Sequence, residues 1–302
     1  MSSARAPSGE QIEIVAGDQT AVVVEAGGGL RTYTAGGRAL LDGFASDEMP
    51  TGSRGKLLVP WPNRIRDGSY EFDGQRHQLP IEEVAKGNAI HGLGRWVTWS
   101  VAEREPHRVV MRLPIDARPG YPFSLTVEVE YGLSDEGLRV TTTATNVGAS
   151  ACPYGCGAHP YLTLERQLLD ELSLRSPART VLMPDERGIP VSAEPVDGSE
   201  FDFRTPRAIG TTQLDHAFGD LERDEDGLAR VTLSGTGREL SLWADEGYGY
   251  LMLFTGDTLP QPRRSLAVEP MTCPPNAFQT GEALIRLEPG DSFSCSWGIA
   301  AP

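Results

Sequence analysis

The sequence of 302 residues predicts an all-β protein, a large antiparallel sandwich with extended loops. Period-two alternation of apolar and polar residues recurs from one end to the other. The 34 Gly and 23 Pro residues are spread along the chain and mark many turns between short elements. No alternation of strand and helix patterns appears, which argues against a parallel, doubly wound sheet.

Taken in order, the strand candidates begin at 11–16 and 21–25, with the glycine run 27–29 as the turn that follows. Residues 70–79 predict a hairpin, because Asp73-Gly74 supplies the positive φ angles that a two-residue turn needs. Strands are expected at 96–102 and 108–113. The clearest pattern is Phe123, Leu125, Val127, Val129 and Tyr131 alternating with Ser124, Thr126, Glu128 and Glu130. It turns at Ser134-Asp135-Glu136-Gly137 into a second alternating run, 138–145. Further strands are expected at 228–233, 239–243 and 249–254. The last pair is 283–287 and the run Phe293, Cys295, Trp297, Ile299. Only 164–172 has helical spacing, through Leu164, Leu168, Leu169 and Leu172, and it is too short to anchor a helical layer.

Composition narrows the function. The 27 basic and 42 acidic side chains leave a formal charge of −15, which disfavours nucleic acid and anionic membranes as partners. A hydrophobic share of 39% excludes disorder of the whole chain. The N-terminus lacks an apolar signal run and no stretch approaches the ~18 apolar residues of a membrane span, so a cytoplasmic protein is expected. Cys152, Cys156, Cys273 and Cys295 are then expected as reduced thiols. Cys152, Cys156 and His159 lack the remainder of a zinc shell, so no metal is expected. No dinucleotide fingerprint, P-loop or EF-hand pattern appears, and no cofactor is expected. Without a linker or composition shift, 1–302 is expected as one domain, with about 1–10 a flexible N-terminus.

The five histidines rank by setting. His77 on a polar hairpin strand and His107 in a turn are expected to face solvent. His91 lies in the glycine-flanked Gly87-Asn88-Ala89-Ile90-His91-Gly92, where backbone can approach a ligand, and a structural role is the alternative. His159 is held extended by Pro160, with a capping or core role open beside a functional one. His216 adjoins Asp215, and neighbours on an extended chain point to opposite sides. Asp215 is the better ligand for a hydroxyl-rich molecule, against a turn-capping reading.

Two charged residues stand in apolar surroundings. Arg64, in Trp61-Pro62-Asn63-Arg64-Ile65, needs a partner, either a structural carboxylate or a ligand. Glu269 ends the apolar run Leu266-Ala267-Val268 and precedes Pro270, a placement that raises a carboxyl pKa and suits a general base.

Together these segments resemble the aldose 1-epimerases, or galactose mutarotases. The ordered set is Asn63-Arg64, Asn88-Ala89-Ile90-His91-Gly92, His159-Pro160-Tyr161, Leu214-Asp215 and Val268-Glu269-Pro270. The stretch Glu269-Pro270-Met271-Thr272-Cys273-Pro274-Pro275-Asn276-Ala277-Phe278 looks more like the uncharacterised bacterial branch. The resemblance implies an antiparallel β-supersandwich with very little helix, whose open cleft binds a free sugar. It implies Glu269 as base, His159 as acid, and Arg64, His91 and Asp215 as holders of sugar oxygens, with Asn63 beside them among the binding residues. It also implies a cofactor-independent isomerase of carbohydrate metabolism, a monomer or homodimer, acting on an aldose. A non-catalytic sugar-binding protein and a hexose-phosphate 1-epimerase are the alternatives, the latter with Arg95, Arg263 and Arg264 as candidate phosphate ligands. Trp61 and Phe278 are candidates to pack on the sugar's apolar face, against a core reading. In this scheme the carboxylate near His159 raises the imidazole pKa, and the rate profile is bell-shaped about neutrality.

Overall fold

The protein is described by a computed structural model covering residues 5–165 and 167–300. Two large antiparallel sheets carry it. In the nine-stranded sheet, Ser100–Glu105, Arg108–Ile115, Leu125–Ser134 and Gly137–Asn146 run in sequence order, and Ser292–Ala300 lies beside the last of them. Arg238–Ala244, Ala229–Gly235, Ser173–Arg175 and Arg207–Ala208 complete it. The eight-stranded sheet runs Pro190–Pro195, Ala178–Pro184, Asp215–Leu221, Tyr250–Phe254, Leu266–Met271, Gly157–Ala158 and Leu57–Leu58, with Tyr161–Leu162 also paired to Leu266–Met271. A four-stranded sheet is made by Gln11–Ala16, Gln19–Val24, Leu30–Ala35 and Arg38–Ala39.

One contiguous core joins them. It takes Val127, Val129 and Tyr131 from the nine-stranded sheet, Leu251, Leu253, Leu266 and Val268 from the eight-stranded sheet, and Ile12 and Tyr33 from the four-stranded one. Strand side chains alternate between faces, so the residues between these core positions point the other way. On that second face the register aligns Leu182, Ala217, Met252 and Glu269 in a row across four strands. Leu182, Ala217, Met252 and Met271 form a separate small apolar cluster there. A register slip of one residue would turn Glu269 into the main core, where an apolar wall would meet a carboxyl.

The strand pattern read from sequence is largely present. Gln11–Ala16 has its expected bounds, and Asp73 (φ 48°) and Gly74 (φ 72°) make the predicted tight turn between Ser69–Phe72 and Gln75–Gln78. The strand expected at 96–102 lies instead at Ser100–Glu105, where a bulge between Val101 and Glu103 breaks the alternation. The helical spacing at 164–172 yields one 3₁₀ turn, Leu169–Glu171, and the one α-helix among the described residues is the single turn Ala277–Thr280. No helix of the described residues is long and apolar enough to cross a membrane.

Of the stretch 1–10, residues 1–4 lie outside the described residues; in the remainder the Ser8 carbonyl accepts the Ala26 N–H at 2.9 Å and Arg5 pairs with Glu25 at 2.9 Å. One expectation needs correction. His77 does not simply face solvent. It is half-buried between Tyr70, 4.9 Å away, and Phe123, 5.7 Å away, because a two-stranded hairpin must lay one face on the body of the protein.

Gly92 shows how tightly the loop after His91 is fitted. Its φ is +73°, and a Cβ there would stand 2.0 Å from the Val59 carbonyl oxygen. Gly74 has nearly the same φ, +72°, with open space around it. Gly74→Ala should therefore cost only backbone strain, about 1 kcal/mol, whereas Gly92→Ala should cost about 3 kcal/mol or more. Urea denaturation of the two variants checks this; equal losses would contradict the packing described.

Candidate active site

The second face of the eight-stranded sheet brings the acid/base candidates together. Glu269 sits in Leu266–Met271, and the chain just after Gly157–Ala158 places His159 beside it. His159 is held as an extension of the sheet: its N–H donates to the Lys56 carbonyl at 3.0 Å and its carbonyl accepts the Gly55 N–H at 2.9 Å. Its Nε2 lies 3.2 Å from Oε1 of Glu269, with the side chains 6% and 3% exposed. The remaining polar atoms of the pair, Nδ1 of His159 and Oε2 of Glu269, are buried without a hydrogen-bond partner among the described residues. Buried polar atoms are ordinarily satisfied, and two unsatisfied ones on adjacent ionisable groups make this a candidate site.

Arg64 opens the strand Arg64–Arg66, and His91 directly follows its paired strand Asn88–Ile90. Arg64 donates to Glu83 through Nε, at 2.9 and 3.2 Å, and through Nη2 at 3.0 Å. Glu83 is held in turn by Asn88 Nδ2 at 2.9 Å. The fork thus has a structural partner on one edge, while Nη1 takes no hydrogen bond among the described residues. It runs past Gly188, where a Cβ would stand 2.6 Å from Nη1. Asn276 fixes this strand from 210 residues away, accepting the Arg66 N–H on Oδ1 at 3.0 Å and donating its own N–H to the Arg64 carbonyl at 2.7 Å.

Asn63 orients its neighbours. Its side-chain oxygen accepts the Arg64 N–H at 2.9 Å, its carbonyl accepts the His91 N–H at 2.8 Å, and its own N–H donates to Nδ1 of His91 at 3.2 Å. Because Nδ1 of His91 is an acceptor, the neutral ring carries its hydrogen on Nε2. His91 meets His159 edge to face at 5.5 Å. His91, His159 and Glu269 are the grouping of possible metal ligands among the described residues, their ligand atoms lying within 4.8 Å of one another. A protonated Nε2 is a hydrogen-bond donor and not a metal ligand, so this arrangement suits a hydroxyl more than a cation. Cys156 places Sγ 3.6 Å from Sγ of Cys295; all four cysteines are buried and free.

Asp215 opens its strand opposite Phe254 and is exposed, and its charge acts on both Arg64 and Glu269. His216, next along, packs on Phe201 at 4.6 Å and has no part in the centre. Trp61 and Phe278 are both 2% exposed and touch each other edge to face at 5.6 Å, so both belong to the core. Arg263 pairs with Asp257 and Asp170, and Arg264 with Asp42; both line a separate cavity of about 1090 Å³ bounded also by Arg54, Glu165 and Gln261. Arg95 is engaged by Glu82 at 3.1 Å and by Ser53 at 3.1 Å.

The profile of a family described as aldose 1-epimerase matches residues 10–299. The chain belongs to the aldose 1-epimerase family. A relative from Escherichia coli K12, named as uncharacterized protein YihR, is 37% identical over 284 residues, covering 94% of this chain and 90% of that one. The galactose mutarotase of Mus musculus is 26% identical over 258 residues, covering 77% and 74%. Among solved structures, a GalM/aldose epimerase homologue from C. elegans superposes with a TM-score of 0.85 at 20% identity, covering 97% and 98% of the two chains. A galactose 1-epimerase from Lactobacillus acidophilus superposes with a TM-score of 0.81 at 21% identity, covering 97% and 95%. The fold is that of the galactose mutarotase-like β-supersandwich, as the motifs implied.

Within this family member, burial governs the charges. It raises the Glu269 carboxyl well above its ordinary pKa, with the charge of Asp215 adding to the rise and Arg64 opposing it. It pushes His159 down to about 3, helped by the positive charge of Arg54. His91 is likewise lowered, by burial and then by His159. Arg64 loses hydration, yet its Glu83 hydrogen bonds and the charges of Asp215 and Glu269 keep its pKa above the usual arginine value. The expectation that the nearby carboxyl raises His159 is therefore reversed: in a dry site burial disfavours the charged form of both members of the pair.

Glu83, Arg54 and Tyr161 were not identified as site residues from sequence. Glu83 lies in the polar stretch Glu82-Glu83, which reads as a solvated loop, and its partner is 19 residues away. A histidine that must gain its proton against burial titrates below its ordinary value near 6.5. NMR of the ring should find His159 neutral from pH 7 down to pH ~5, its folded pKa lying below that range. Protonation midway between pH 6 and 7 would contradict the burial of the pair.

Proposed function

We propose that the protein is a cofactor-independent aldose 1-epimerase, interconverting the α and β anomers of a free aldose, with Glu269 as base and His159 as acid. The observation that carries this reading is the buried 3.2 Å contact between Nε2 of His159 and Oε1 of Glu269, with a second unpartnered polar atom on each side chain. Anomer exchange needs one group to take the proton of the C1 hydroxyl while another protonates the ring oxygen. The bond from C1 to the ring oxygen breaks, C1 becomes a carbonyl, rotation about C1 to C2 presents its other face, and closure returns both protons. A pair holding one proton between an imidazole and a carboxyl supplies both roles and is restored after each turnover.

In the free protein burial disfavours charge on both groups, raising the carboxyl pKa of Glu269 and lowering that of the His159 imidazole. Transfer across the contact produces the carboxylate and imidazolium that the assigned roles require, and the charge of Arg64 favours the carboxylate. Arg64 Nη1, the Nε2 hydrogen of His91 and the Asp215 carboxylate offer two donors and an acceptor for the sugar hydroxyls. Asn63 then acts through Arg64 and His91 more than by touching sugar. Acid/base assistance of this kind contributes about 10² to 10⁴ in rate, enough for a reaction that already proceeds in water. A protein that only bound sugar would have no use for an acid and a base held together out of water. Arg95, Arg263 and Arg264 are each engaged by carboxylates, which gives no support to a phosphorylated substrate.

Glu269→Gln should lower kcat about 10²-fold or more, since an amide cannot accept the C1 proton, and Arg64→Ala should raise KM about tenfold through lost hydroxyl contacts. Polarimetry on freshly dissolved hexoses and pentoses measures both. Wild-type turnover by the Glu269→Gln variant would reject the proposal.

A further inference from the structure

His159 is backed by a stack of side chains that the acid/base scheme leaves unused. The Tyr161 ring lies flat against the imidazole, centroids 5.1 Å apart and planes 8° from parallel. Over the Tyr161 ring lies the Arg54 guanidinium, 4.0 Å from its centroid. Both members behind the imidazole are tied. Tyr161 donates its hydroxyl to the Gly52 carbonyl at 2.8 Å, and its own carbonyl accepts the Asp42 N–H at 2.9 Å. The Asp42 carboxylate pairs with Arg54 at 3.3 Å while accepting the Ser265 hydroxyl at 2.7 Å and pairing with Arg264 at 2.6 Å. Arg54 is 8% exposed and its Nη1 is buried without a partner among the described residues. A buried guanidinium held with one hydrogen-bonding arm empty is costly to keep for packing alone.

We propose that Arg54 and Tyr161 are positioning residues for His159: the arginine, clamped by Asp42, fixes Tyr161 flat against the imidazole and so keeps Nε2 turned to Glu269. This rests on the reading of His159 as acid/base partner. The stack leaves the imidazole one direction in which to hold its contact, along the Nε2 edge. A cation behind the ring favours giving a proton away over keeping it, which strengthens the imidazolium as an acid once it forms. The other groups around His159 are Glu269 at 3.2 Å, the edge of neutral His91 at 5.5 Å, the more distant charge of Arg95, and Lys56, whose carbonyl takes the His159 N–H. Arg54 bears more on His159 than Arg95 does.

The test is the titration of the His159 ring, followed by NMR in the sugar-free full-length protein, together with kcat and KM for anomer exchange. Arg54→Met should move the His159 midpoint up by about one pH unit and lower kcat about tenfold, with KM within about twofold of wild type. Arg54→Lys should restore the low midpoint. A folded Arg54→Met protein with an unmoved His159 midpoint overturns the proposal. Should Arg54→Met not fold, Tyr161→Phe keeps the ring but frees it from Gly52, and is expected to lower kcat about threefold at unchanged KM; an unchanged kcat in that variant overturns the proposal as well. The titration is read without sugar, so failure of the epimerase reading leaves its outcome standing, and an unmoved midpoint with wild-type sugar turnover rejects only the role of Arg54.

Discussion

The contact between His159 and Glu269 is the constraint on which the rest of the site depends. A carboxyl that water would keep charged and an imidazole are placed side by side where charge is disfavoured, with Nε2 of His159 3.2 Å from Oε1 of Glu269. That arrangement requires Leu266–Met271 to hold its register against Tyr250–Phe254, and it requires His159 to run on from Gly157–Ala158 without slipping. The core on the opposite face, through Leu266, Val268, Leu251 and Leu253, enforces that register. The sandwich therefore acts on the chemistry directly: hydrophobic burial on one side of the sheet positions polar groups on the other.

Around the pair, carboxylates orient cations and backbone orients rings. Glu83 holds one edge of Arg64, Asn88 holds Glu83, and Asn276 ties the strand that carries Arg64 to the segment following Glu269. Asn63 fixes the tautomer of His91 by a single N–H bond. A site made of preorganised dipoles needs little rearrangement when charge develops on a ligand, which is where such an arrangement gains most. Arg64 pairs with Ile90, the residue before His91, so a change that loosens one is felt by the other.

Much of this was legible in the sequence, for physical reasons that can be named. Glu269 after an apolar run and Arg64 among prolines and aromatics stood out because charge in apolar surroundings demands an explanation. Alternation located most strands because a half-buried sheet imposes a period of two. Strand 100–105 was misplaced because a bulge interrupts that period, and Glu83 was passed over because a carboxylate in a polar loop shows nothing of a partner brought to it by folding. The direction of the His159 shift was misjudged for a related reason. Spacing reveals that a carboxyl is near, but only the packed structure reveals that water is excluded and that Arg54 stands behind the ring.

The central claim is that His159 and Glu269 act as one unit sharing one proton, and a double-mutant comparison tests it most directly. Anomer exchange would be measured by polarimetry for His159→Gln, Glu269→Gln and the double variant on one aldose. Groups that work as a unit are lost together, so the account predicts that the double variant is about as slow as the slower single variant. Losses that multiply, each substitution costing the same factor whether or not the other is present, would show two independent groups and contradict the account.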